Sequence, residues 1–192
     1  EEMLLGRLSL RSMKQAKYTT ECSGHFGLAA KYYCHFTSPI RRYPDLQIHR
    51  IIKDALRGRL QEKKILHYQS ILPEVAEQSS ERERKAAEAE RETIRLKKAE
   101  YMSAHLGEEF EGVISGVTPW GLYVELPSTV EGLVHAASLQ GDYFEYHESA
   151  YEMVGAHTGK TWRLGQTVRI RVTGTDLMAR TVDFELVEPQ GE

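Results

Sequence analysis

The sequence predicts an α+β fold, with a mainly helical part over residues 1–106 followed by a five-stranded β-barrel over residues 107–192. Three observations carry that prediction. Apolar residues recur at the helical period from Leu46 to Leu60, a charged stretch over 81–100 holds neither Gly nor Pro, and from Gly107 the alternation changes to period 2. The length of 192 residues leaves room for one large or two small domains. A net charge of -3 excludes a uniformly basic nucleic-acid binder, so any such contact must come from a local patch. Cys22 and Cys34 are too few for a disulfide framework, lack metal-ligand spacing and are expected to be free thiols. No apolar run approaches the roughly 18 residues of a membrane span. The acidic start, Glu1-Glu2, has no signal-peptide character, so a cytoplasmic protein without membrane association is expected.

Taken in order, Leu5, Leu8, Met13 and Ala16 have partly helical spacing, with Arg11 and Lys14 adding positive charge. The chain begins as though cut from something longer. Residues 18–34 contain Gly and aromatic residues and predict an irregular or strand-like piece, in which His25 is expected to hydrogen-bond to backbone. The densest chemistry follows in His35-Phe36-Thr37-Ser38-Pro39-Ile40-Arg41-Arg42-Tyr43-Pro44-Asp45. Arg41 and Arg42 offer planar, permanently charged forks to phosphate oxygens. Ser38 before Pro39 is a helix-start signal, and a helix start aims free N–H groups at an anion. Pro44 disfavours a helical Tyr43. The stretch is therefore either a short turn before a new helix or one kinked helix, and in both cases an anion-binding corner.

Leu46, His49, Ile52, Leu56 and Leu60 share one face of the next helix, which predicts His49 as an inward, core histidine. A loop is expected to run to Pro73 and to lead into a second, longer helix. Its charged stretch is expected to be largely a solvated face laced with i,i+4 pairs. Ala87, Ile94 and Tyr101 form a sparse apolar seam, and Glu90 falls on that seam, where a carboxylate is out of place.

The period-2 segments are Phe110–Val117, Leu122–Leu126, Gly132–His135, Val168–Val172 and Val182–Leu186. Five short strands are the count of a small Greek-key barrel. Residues 139–161 are expected to be a polar and aromatic insertion between the third and fourth strands.

The string from His35 to Asp45, with His49-Arg50 after it, closely resembles the signature of the RNB family of exoribonucleases, ribonuclease II and ribonuclease R. Leu10-Arg11-Ser12-Met13-Lys14-Gln15-Ala16 and Gly24-His25-Phe26-Gly27-Leu28 resemble further segments of that family, so the resemblance covers roughly the first hundred residues. Trp120-Gly121-Leu122-Tyr123-Val124 and Glu131-Gly132-Leu133-Val134-His135 closely resemble the S1 RNA-binding domain, an OB-fold. The order of the two matches that of ribonuclease R.

The resemblance implies a processive 3′-to-5′ exoribonuclease that releases nucleoside 5′-monophosphates from single-stranded RNA with Mg2+. It makes Arg41 the phosphate clamp at the scissile end, with Arg42 and Tyr43 in support and Thr37 and Ser38 shaping the corner. Ala89-Glu90-Arg91 resembles the surroundings of the family's glutamate near the 3′-terminal nucleotides, so Glu90 is a catalytic candidate beside the alternative of a structural salt bridge. Trp120, Tyr123 and His135 correspond to base-stacking positions of the barrel, with Trp where Phe is more usual. Asp176 and Arg180 match the remaining pair, and Arg169 and Arg171 extend the positive track.

The family's metal-holding aspartates lie upstream of the matched segments, whereas Asp45, Asp54, Asp142, Asp176 and Asp183 are scattered. The expectation is the C-terminal part of such an enzyme, binding single-stranded RNA without cutting it efficiently and needing no obligate protein partner. Cold-shock domains and a lysine-rich tail are also missing from the sequence. The alternatives are a noncatalytic RNA-binding module and a central helix that docks a protein.

Overall fold

The computed structural model describes residues 16–148 and 150–187. The segment over 4–15, with its partly helical spacing and the Leu10–Gln15 resemblance, lies outside the described residues. The chain divides into two compact units, Lys14–Ala89 and one that contains Glu90–Glu192.

In the first unit, a 3-10 turn over Phe26–Leu28 precedes helix α1, Tyr43–Leu56. His25 accepts the Leu28 N–H at Nδ1, 3.2 Å, the backbone-bonded role expected of it. Of the two alternatives for the corner, the short turn before a new helix is the one formed: Arg41 and Arg42 both donate N–H to the Ser38 carbonyl. Ser38 therefore caps a single turn, and α1 starts five residues later behind Arg42, which is extended at φ -116°. The extended residue stands one position earlier than Pro44 was expected to impose. Gly58, at φ +66°, ends α1 in the left-handed region that favours glycine.

The expected apolar stripe of α1 is not its buried face. Leu56 is 82% exposed and Ile52 is also exposed, whereas Asp45 and Gln47 are buried. The reason is local: the Asp45 carboxylate turns inward to hold the preceding turn, and Gln47 donates to Tyr43 Oη at 2.5 Å. His49 is only half-buried, stacked on Phe36 at 4.3 Å with Nε2 2.8 Å from the Phe36 carbonyl oxygen.

Helix α2 covers Glu62–Ser103, so Pro73 lies inside it rather than before it. The turns ahead of Pro73 are held to α1: Tyr68 Oη donates to Asp54 at 2.8 Å and Lys64 pairs with the same carboxylate at 3.3 Å. Further along, Ser80 Oγ accepts the Tyr18 N–H at 2.9 Å.

In the second unit, β1 (Glu109–Thr118), β2 (Gly121–Glu125), β3 (Glu131–His135), β7 (Thr167–Asp176) and β8 (Thr181–Leu186) close a barrel in the order β1-β2-β3-β8-β7. The five expected strands are these. All neighbours are antiparallel except β3 and β8, which close the barrel in parallel. Alternate residues Leu122, Val124, Val134, Ile170, Val172, Val182 and Phe184 fill its interior.

The insertion has a sheet of its own, β4 (Phe144–His147), β5 (Glu152–Gly155) and β6 (Thr161–Arg163). Met153 of β5 joins the barrel core. So do Ala99 and Met102 near the end of α2. Ile94 and Tyr101, the expected seam residues, are exposed instead. A seam with apolar residues seven apart left the contact face undetermined to within a neighbouring row, and the row that holds Ala99 and Met102 is the one that packs. The compact unit consequently starts at Glu90, inside the helix. No helix of the described residues is long and apolar enough to cross a membrane.

Candidate nucleic-acid interface

Two surfaces carry the predicted residues, one in each unit. The first is the corner before α1. The Asp45 side chain is fully buried, and its Oδ2 accepts the Ser38 N–H at 2.8 Å and Arg42 Nη2 at 2.9 Å. Burial by itself raises this carboxyl, but the Ser38 N–H and the Arg42 guanidinium outweigh it and hold Asp45 below its ordinary value. Arg42 also reaches Thr37 Oγ1 at 3.4 Å, so it braces the turn from within. Arg41, next in sequence, is exposed. Tyr43 is exposed too, with Arg50 5.9 Å from its ring centre. The corner thus presents one outward guanidinium, an aromatic ring and a second guanidinium turned inward. Nearby, Tyr18 Oη lies 2.8 Å from His35 Nδ1, and burial together with Glu83 pushes the Tyr18 phenol up to about 12.

The second surface is on the barrel. Gly121 has φ +151° and a Cβ there would come within 2.1 Å of the Val134 carbonyl oxygen, so only glycine permits the tight turn from β1 into β2. That turn lifts Trp120 outward, 57% exposed, where its indole N–H donates to Tyr123 Oη at 3.1 Å. Tyr123 alternates with the buried Leu122 and Val124 and so faces out. Gly121 pairs with His135 across the ladder, and its backbone packs closely against that strand. His135 Nε2 lies 3.3 Å from Asp183 Oδ1 on β8. Sequence reasoning passed over Asp183, although its outward position in the Val182–Leu186 alternation was readable.

The remaining predicted cations are tied to carboxylates. Glu109 receives Arg171 Nη2 at 2.6 Å and Arg169 Nε at 3.0 Å. Arg171 and then burial act first on Glu109, and the two arginines together keep its carboxyl below the usual range. Asp176 accepts the N–H groups of Met178 and Ala179 at 2.8 and 2.9 Å, which makes it the organiser of the β7–β8 turn. Arg180 leaves that turn at φ +60° and donates to Glu92 on α2. Glu90 is exposed. Among the described residues no three His, Cys, Asp or Glu side chains converge in a way that would hold a metal ion.

The RNB domain model matches residues 1–58 and the S1 RNA binding domain model matches residues 104–186. Ribonuclease R 1 of Lactococcus lactis is 49% identical over 184 residues, 96% of this chain and 22% of that protein. Ribonuclease R of Aquifex aeolicus is 47% identical over 190 residues, 98% of this chain and 26% of its own length. The apo form of Mycoplasma genitalium RNase R matches with a TM-score of 0.87 at 26% identity, covering 94% of this chain and 29% of that one. The same enzyme in complex with ribose methylated single-stranded RNA gives the same score and coverage. The chain thus spans about a quarter of the length of the relatives it matches.

Proposed function

Because the chain belongs to the ribonuclease R family, in which it carries the C-terminal part of an RNB domain and an S1 RNA binding domain, we propose that it serves 3′-to-5′ degradation of single-stranded RNA as part of a longer cytoplasmic enzyme. The observation that carries this reading is the outward Trp120–Tyr123 pair on the barrel. Two aromatic faces held in register by their own hydrogen bond are a stacking platform for successive bases, each stack worth roughly 1–3 kcal/mol. His135, fixed against Asp183, adds a third ring to the same sheet face.

At the corner, Arg41 would grip a backbone phosphate while Asp45 and Arg42 keep the turn that displays it. Exoribonucleases of the RNB family depend on divalent metal. That metal, magnesium in our reading, would be held by ligands elsewhere in the enzyme and would supply water activation there, while the chain's own residues bind and orient the strand.

A labelled poly(A) oligomer followed by fluorescence anisotropy at two salt concentrations tests the reading. Trp120→Ala/Tyr123→Ala is expected to weaken binding by at least tenfold, from two lost stacks. Arg41→Ala is expected to weaken it less but to flatten the salt dependence, as loss of one phosphate contact does. The same preparation with Mg2+ is expected to leave the oligomer intact over hours. Binding that ignores both variants, or Mg2+-dependent release of mononucleotides by this chain, would overturn the corresponding part of the proposal.

A further inference from the structure

Glu92 sits between two arginines. Its Oε1 accepts Arg95 Nη1 at 2.9 Å and its Oε2 accepts Arg180 Nη1, so each oxygen of one carboxylate faces a different guanidinium. Arg95 lies one helical turn along α2, whereas Arg180 comes from the β7–β8 turn, 88 residues away in sequence. The convergence is therefore tertiary and not a by-product of helix periodicity. All three side chains remain open to solvent, with Arg95 the most exposed.

The β7–β8 turn is built to deliver Arg180 to that spot. Asp176 fastens the turn through the Met178 and Ala179 N–H groups. Arg180 itself is held at φ +60°, a left-handed conformation that non-glycine residues rarely adopt and that a rigid turn must impose. Beside it, Met178 is 92% exposed and Leu177 is also exposed, an apolar tip against which a base or sugar can rest.

A phosphodiester shares one negative charge between two non-bridging oxygens, the same demand on two guanidinium groups that a bridging carboxylate makes. We propose that Arg95 and Arg180 form a phosphate-binding point for RNA in addition to the Trp120–Tyr123 face, and that Glu92 occupies it as an internal phosphate mimic until RNA displaces it. The inference rests on the RNA-binding reading above and adds to it a residue that opposes binding. Glu92 is solvent-accessible and its pairs are of the exposed kind, individually weak, so a polyanion can compete with it.

The test is anisotropy binding of labelled poly(A) to the full 192-residue chain, compared among wild type, Glu92→Gln, Arg95→Ala and Glu92→Gln/Arg95→Ala, with melting curves to confirm that each variant is folded. Glu92→Gln is expected to tighten binding roughly threefold at low salt, since an exposed pair opposes it by about that factor. It is also expected to steepen the slope of log K against log salt by about 0.7 for the freed contact to a single strand. Adding Arg95→Ala should cancel most of both gains.

Binding that is unchanged or weaker in Glu92→Gln would overturn the inference, the weaker outcome assigning Glu92 the opposite role of holding Arg180 for RNA. The Trp120→Ala/Tyr123→Ala variant separates the two levels. If it loses RNA while Glu92→Gln changes nothing, the barrel reading stands and only the mimic falls. A wild-type chain that binds no RNA removes both.

Discussion

Asp45 shows how one side chain can decide what its neighbours do. Buried and carrying charge, it is tolerable only because a backbone N–H and a guanidinium point at it. Asp45→Ala would leave both donors without their acceptor, and a loss of about 3 kcal/mol is expected in chemical denaturation, as for breaking a buried pair. Its acid dependence has a definite sign. The carboxyl is held below its ordinary value in the folded chain, so the unfolded chain binds protons first as pH falls. Asp142, fastened by the Thr158 hydroxyl and N–H and then by His157, is lowered in the same direction. The contribution of these two carboxyls to stability should therefore be flat above about pH 5 and fall below about pH 4, more shallowly in Asp142→Asn. A stability maximum below pH 4 in urea titrations would contradict this. The Ser38–Asp45 spacing lay within one short string and its residues were nameable from sequence. That the second of two adjacent arginines faces inward was not, because Arg41 and Arg42 are chemically identical and only the Asp45 bond tells them apart. The pairing of Arg180 with Glu92 was further out of reach, since nothing local in either segment indicates the other.

At the scale of elements, α2 blurs the boundary drawn at the change of hydrophobic period. The period does change near Gly107, and the barrel strands were readable because each alternates inward and outward residues. Yet Ala99 and Met102 complete the barrel core from the helix, ahead of the 104–186 match to the S1 model. Met102→Ala is expected to lower barrel stability by about 2–4 kcal/mol, read from the loss of near-ultraviolet dichroism on heating. A chain starting at residue 104 should melt well below one starting at residue 90. Equal melting temperatures would show the helix end to be dispensable. The β4–β6 sheet escaped sequence reading for a physical reason: its strands are only three or four residues long, so the alternation of burial in β4 and β5 covers too few positions to read. The α1 stripe misled in the opposite sense. Its periodicity is real, but Ile52 and Leu56 stay on the surface while polar groups take the inside.

For the molecule as a whole, a net charge of -3 coexists with local groups of arginines, several of them answered by a specific carboxylate. Arg41 is the exposed exception at the corner, which is why its removal should register in salt dependence more than an average cation would. Family and fold were legible because the corner string and the Trp120–Tyr123 string are dense in unusual residue types; the partners that restrain their side chains come from distant segments. The parallel closure between β3 and β8 has a further consequence, for the birth of the protein. Leu133 pairs with Asp183 and Val134 with Phe184, so the third strand must wait for the synthesis of some fifty more residues before its outer edge is covered. On the ribosome β1, β2 and β3 can assemble as a meander, but its open edge stays unpaired until β8 has left the exit tunnel. A message truncated before Thr181 would yield a chain with that edge permanently bare, a substrate for chaperones and proteases rather than a weakened RNA binder.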